Sequence, residues 1–107
     1  MPTKEVSLLE KAGEAAALLR ALAHEHRLAI LCTLEGGAMS VGDIAATLGE
    51  PQPKISQHLM RLRAEKLVRT RRDGTTIHYE IASDTARAIA GVLKEAFCPP
   101  KRGRKSR

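Results

Sequence analysis

Leu8, Leu9, Ala12, Ala15, Ala16, Leu19 and Leu22 recur at the three- and four-residue spacing of one helical face. Ser7 with Glu10 three residues on has the form of a capping box, so a first helix is expected over about residues 7–23. Its many alanines permit close helix approach, in a core or at a subunit interface. A second helix, over about 25–35, carries Leu28, Leu31 and Leu34 and stops at Gly36-Gly37, where a left-handed ending is easiest. Ser40 then caps a third helix, with Asp43 at the reciprocal position and Val41, Ile44, Ala45 and Leu48 turned inward, and Gly49 ends it. Pro51 and Pro53 suit a first helical turn, whose amides lack partners anyway, so a fourth helix is expected to begin there and reach about Lys66. Ile55, Leu59 and Leu62 form its apolar side, which leaves Gln52, Lys54, Ser56, Gln57 and Arg61 for solvent or a ligand.

Period-two alternation follows over residues 67–72 and 75–81, with Asp73-Gly74 between them as a two-residue hairpin signal. Ser83 caps a last helix with Ala86, Ile89, Ala90, Leu93 and Phe97 on one side, ending at Cys98 before Pro99-Pro100. The expected fold is mainly α with a small β-hairpin, in the order of a winged helix-turn-helix. One domain is expected over residues 1–98, followed by a basic tail, 99–107, too polar to pack and expected to be disordered. A winged helix points to double-stranded DNA as partner. One recognition helix reads only a half-site, so a homodimer on a palindromic operator is expected.

Charge sharpens this picture. Residues 51–72 hold seven basic side chains against one acidic, and the tail holds five basic and none acidic, whereas residues 1–50 and 73–98 are net negative. Positive charge therefore gathers on the recognition helix, the first wing strand and the tail, as phosphate neutralisation requires. With one Tyr, one Phe and no Trp, stacking on single-stranded bases is excluded as the main mode. There is no apolar run of about 18 residues and no signal-peptide pattern, so no membrane partner and a cytoplasmic location are expected. At 107 residues the chain builds one modest core, to which a second subunit would add stability.

The run Leu22-Ala23-His24-Glu25-His26-Arg27-Leu28-Ala29-Ile30-Leu31, the element Ser56-Gln57-His58-Leu59 and the wing segment Arg71-Arg72-Asp73-Gly74 together resemble the ArsR/SmtB family of bacterial repressors, over nearly the whole chain from Leu9 to Cys98. The resemblance implies a homodimer built from the first and last helices that blocks transcription until an inducer acts. Gln52, Lys54 and Gln57 are expected at major-groove edges, where Gln pairs with adenine and Lys donates to guanine. Ser56 and His58 match the family's Ser-x-His-Leu element, which implies phosphate contacts, although His58 packed at the helix-turn-helix seam is an open alternative. Arg69, Arg71 and Arg72 are expected at phosphates or the minor groove, with Arg71 and Arg72 on opposite strand faces.

The family's metal sites are not matched. Where it carries a Cys-Val-Cys-like element this chain has Ser40-Val41-Gly42, and Asp84 is followed by no His on the last helix. His24 and His26 lie two apart, a spacing that does not share a helical face. No metal and no cofactor are therefore expected. Cys32 and Cys98 are the only thiols; their residue types alone allow a buried core residue and an incidental helix-end residue. Their placement, with Gln52-Pro53 and the Phe97-Cys98 ending, resembles the persulfide- and redox-responsive branch of the family, the BigR, SqrR and HlyU type. In that branch the two thiols of a subunit become joined, directly or through added sulfur, and the operator is released, with a reactive sulfur species or oxidant as inducer. A metal-responsive repressor and a nucleoid-type DNA-binding protein with incidental cysteines are the alternatives. An enzyme is not expected, since no Cys-x-x-Cys motif occurs.

Overall fold

The structure, a computed structural model, describes residues 4–97, with side chains from Ser7 onward; Cys98 and the expected tail lie outside the described residues. Its elements run α1 (Lys4–Leu22), α2 (Glu25–Leu34), β1 (Met39–Ser40), α3 (Val41–Leu48), α4 (Gln52–Ala64), β2 (Val68–Asp73), β3 (Thr76–Ile81) and α5 (Asp84–Phe97). This is the expected winged helix-turn-helix, with one strand more than the sequence predicts. None of the helices among the described residues is long and apolar enough to cross a membrane.

The core is one cluster. Ile30, Leu31 and Leu34 of α2, Ile44 of α3 and Ile55, Leu59 and Leu62 of α4 are fully buried, joined by Val68 and Ile81 from the wing strands. α5 closes over α2 through Ala86 and Ala90, whose small side chains admit close approach. Lys94 reaches Glu35 at 3.3 Å and Arg87 donates to the Glu35 carbonyl at 3.2 Å, fastening α5 to the end of α2.

Caps set the helix limits as their residue types require. The Ser40 hydroxyl accepts from the Asp43 amide at 3.1 Å and that of Ser83 from the Ala86 amide at 3.0 Å. α3 closes on Gly49 at φ 67°, with the Glu50 amide donating to the Ala45 carbonyl. α4 closes in the same way at Lys66, with φ 64°: the Leu67 amide donates to the Leu62 carbonyl and the Lys66 amide to that of Arg63, both at 2.9 Å. That six-to-one bond ends α4 at Ala64, two residues before the expected limit.

Three other expectations need correction. α1 begins at Lys4, upstream of Ser7, because residues 4–6 contain no helix breaker; Ser7 is a helical residue and not a cap. β1 was not expected, because two residues are too few to show alternation. It pairs with β3 through Met39 opposite Tyr79 and Ser40 opposite His78, making a sheet of order β1-β3-β2. In the wing, Asp73 pairs with Thr76, so the loop residues are Gly74 and Thr75. Gly74 alone has positive φ, at 66°, the sign pattern of a type II′ turn in place of the Asp-Gly turn expected.

Only the end of α1 joins the core in this protomer, through Ala21 and Leu22. Leu8, Leu9 and Leu19 are exposed, as are Val92 and Phe97 on α5, the last at 77 %. Their helical periodicity marks a face that the single chain leaves uncovered.

Candidate functional site

The fold presents α4 by its inner side. Ile55, Leu59 and Leu62 anchor it, so helical spacing turns Gln52, Lys54, Gln57 and Arg61 outward, all exposed, with Ser56 and His58 half-buried at the flank. Pro51 precedes the helix in extended conformation and no side chain caps it; Pro53 has no amide hydrogen, and the Lys54 amide donates to the Pro51 carbonyl at 3.1 Å. The positive end of the helix dipole still favours an anion beside Gln52 and Lys54.

The exposed cations near α4 and the wing are partly tied to local acids. Lys54 meets Glu50 at 3.3 Å and Arg61 meets Glu65 at 3.6 Å. On the wing, Arg69 stands opposite Glu80 in the ladder and bonds it at 2.7 Å, while Arg71 approaches the same carboxylate at 3.6 Å. The Arg69 hydrogen bond, with the charges of Arg69 and Arg71, holds the Glu80 carboxyl below its usual range. Arg72 lies on the other strand face, opposite Ile77, as alternation requires, and makes no ion pair among the described residues. The basic surface is thus pre-ordered by acids that a phosphate ligand would have to displace or share.

His58 does not stand alone. Its ring lies 4.6 Å from that of His24 and stacks on that of His26 at 5.3 Å, with the planes 5° apart. The expectation that His24 and His26 diverge fails. His24 is the N-cap of α2, in extended conformation with φ −154°, so the helical angle between residues two apart does not apply to it. Its Nδ1 accepts from the His26 amide at 3.1 Å. His26 in turn meets Glu50 at 3.2 Å, and that contact, followed by Lys54, lowers the pKa of Glu50. Burial, then the neighbouring His24 and His26, lower that of His58. Glu50 escaped the sequence reading, since nothing in its spacing relates it to a residue 24 positions away.

Cys32 lies on α2, half-buried, its thiol directed at the Ala90 carbonyl of α5 with a weak 3.9 Å contact. It lines a groove of about 390 Å³ together with Glu25, Leu28, Ala29, Leu93 and Phe97. The groove is almost wholly apolar and runs between α2 and the end of α5. Cys98 follows Phe97 in sequence but lies outside the described residues.

Residues 24–70, from the α2 cap through α4 to the first wing strand, match the model of the arsR family of bacterial regulatory proteins. The transcriptional regulator YgaV of Escherichia coli is 40% identical over 98 residues, which span 91% of this chain and 99% of that one. The chain belongs to the arsR family. Two solved structures superpose closely on the chain. The transcriptional repressor BigR from Xylella fastidiosa matches with a TM-score of 0.82 at 35% identity, over 97% of this chain and 100% of that one. Reduced HlyU from Vibrio cholerae matches with a TM-score of 0.81 at 36% identity, over 86% and 97%. The arsR-family assignment makes the chain a transcriptional regulator and not an enzyme. The BigR and HlyU likeness expected from the sequence is borne out at the level of fold and identity.

Proposed function

We propose that the protein is a homodimeric, cytoplasmic transcriptional repressor that binds a palindromic operator in double-stranded DNA and is released when Cys32 and Cys98 become linked. Gln52, Lys54 and Gln57 read base edges from the exposed start of α4. Ser56, His58 and Arg61 contact phosphates along the same helix, and Arg69, Arg71 and Arg72 do so from the wing. The exposed leucines of α1 and the exposed Val92 and Phe97 of α5 support dimerisation, because two such faces bury one another.

The observation that carries the switch is the groove joining Cys32 to the end of α5, with Phe97 in its wall. A thiolate at Cys32 takes the outer sulfur of a small persulfide, R–S–SH, releasing the thiol R–SH and leaving a persulfide on Cys32. The Cys98 thiolate then attacks the Cys32 sulfur and expels hydrosulfide. Two protein thiols are oxidised to a disulfide while the persulfide is reduced to a thiol and hydrogen sulfide. Further equivalents leave extra sulfur atoms in the bridge, which then spans a wider gap. Either link ties the last helix to α2. If the dimer face on α5 moves, the spacing of the two recognition helices changes and operator affinity falls.

The test is a gel-shift titration of a palindromic operator with reduced and polysulfide-treated protein, alongside mass spectrometry of the treated chain. Reduced protein binds. Treated protein binds more weakly and carries a Cys32–Cys98 link, and Cys32→Ser or Cys98→Ser removes the response. Equal binding by reduced and treated wild type refutes the switch.

A further inference from the structure

His24, His26 and His58 are three of the four histidines in the chain, and one ring nitrogen of each lies within 4.8 Å of the others. We infer that these three imidazoles form a binding site for a borderline first-row divalent cation, of which Zn²⁺ is the probe, at the junction of α2 and the recognition helix.

The geometry needs only a small closure. Zinc–imidazole bonds of about 2.05 Å in a tetrahedral arrangement put ligand nitrogens roughly 3.3 Å apart. Side-chain rotation can bring the rings that near, since His24 lies on the exposed cap and His26 and His58 are half-buried. A histidine that holds a metal through one ring nitrogen commonly donates the other to a carboxylate, and Glu50 already meets Nε2 of His26 at 3.2 Å. Nδ1 of His26 is then the ligand. His24 lends its Nδ1 lone pair to the His26 amide, so on ligation it gives up this cap, a small loss beside the metal–nitrogen bonds formed. The burial and cationic neighbours that lower the His58 pKa favour the neutral ring that a metal requires.

The surroundings select the class of cation. Arg27 and Lys54 add positive charge around His58 and oppose any cation, while Glu50, paired with His26 and Lys54, offsets part of it. A site of that charge has no hold on Mg²⁺ or Ca²⁺, which require oxygen ligands, and binds through imidazole coordination, which suits zinc, nickel and copper. Three protein ligands leave a fourth position for water. The bound ion joins the start of α2 to His58 and so withdraws that side chain from phosphate contact. The family's own metal positions, Ser40, Gly42 and Asp84, take no part.

The full chain, kept reduced, is titrated with Zn²⁺ against a chromophoric chelator, with Mg²⁺ in parallel, and its Co²⁺ complex is examined by absorption. His24→Asn, which retains a capping oxygen, and His58→Gln are compared, with circular dichroism to show that both stay folded. The expected result is one Zn²⁺ per protomer and no Mg²⁺, affinity more than about tenfold weaker in each variant, and no thiolate-to-cobalt charge-transfer band. The site is overturned by absence of stoichiometric Zn²⁺, by unchanged affinity in both folded variants, or by a charge-transfer band that assigns the metal to Cys32 or Cys98.

Discussion

Leu59→Ala tests whether the DNA-facing helix is held by its inner side, because Leu59 is fully buried while Met60, the next residue, is 69 % exposed. The substitution removes three carbons, worth about 0.8 kcal/mol each on transfer from water, or roughly 2.4 kcal/mol. Ile44, Ile55 and Leu62 of the same cluster are equally buried and leave little room for collapse, so the residual cavity adds about 1 kcal/mol or more. The expected cost is about 3–4 kcal/mol. A chain of this length has a total stability of roughly 5–16 kcal/mol, so the variant keeps its fold with much of its margin gone. Met60→Ala should stay within about 0.5 kcal/mol. Urea denaturation followed by far-ultraviolet circular dichroism measures both, at one protein concentration so that association does not confound the comparison. A cost below about 1 kcal/mol for Leu59→Ala, or equal costs at the two positions, would refute the packing of α4 described above.

Other expectations rest on single residues. Ser40→Ala removes the acceptor for the Asp43 amide and should cost about 1 kcal/mol in the same urea assay, with Ser40→Asp recovering most of it. Lys66→Gly relieves a side chain held at φ 64° and should raise the melting temperature, the gain being up to about 1 kcal/mol; a lower melting temperature would contradict the left-handed closure of α4. Arg72→Ala should lower the salt slope of operator binding by about one, read from fluorescence anisotropy over a salt series, and an unchanged slope would remove Arg72 from the interface. Glu80 has a folded pKa below its ordinary 4.5, so its contribution is present above that value and is lost as pH falls through the lowered one. Wild type should therefore lose stability more steeply than Glu80→Gln below pH 4.5, and parallel curves would show that the Arg69 contact has no weight.

The sequence by itself determined the local elements, because their causes are local. Periodicity marks the inner sides of α3 and α4, Ser40 and Ser83 are capping residues wherever a helix follows, and the concentration of Arg and Lys after Pro51 depends on no folding. Together these disclose a winged helix and a basic recognition surface. Periodicity cannot say which apolar face is covered by the same chain, and so the first helix read equally as core or as subunit interface, until the protomer left Leu8 and Leu9 exposed. Contacts between distant positions were likewise decided by tertiary structure. β1 exists because β3 offers it an edge, and Arg69 and Arg71 share Glu80 because the hairpin register places them there. The histidines show the difference most clearly. A spacing of two separates His24 from His26 on an ideal helix, but the chain enters α2 through an extended cap, and α4 packs beside it. The local rule was sound; the cap lay outside its domain, and only the packing of α4 against α2 brought His58 to the other two.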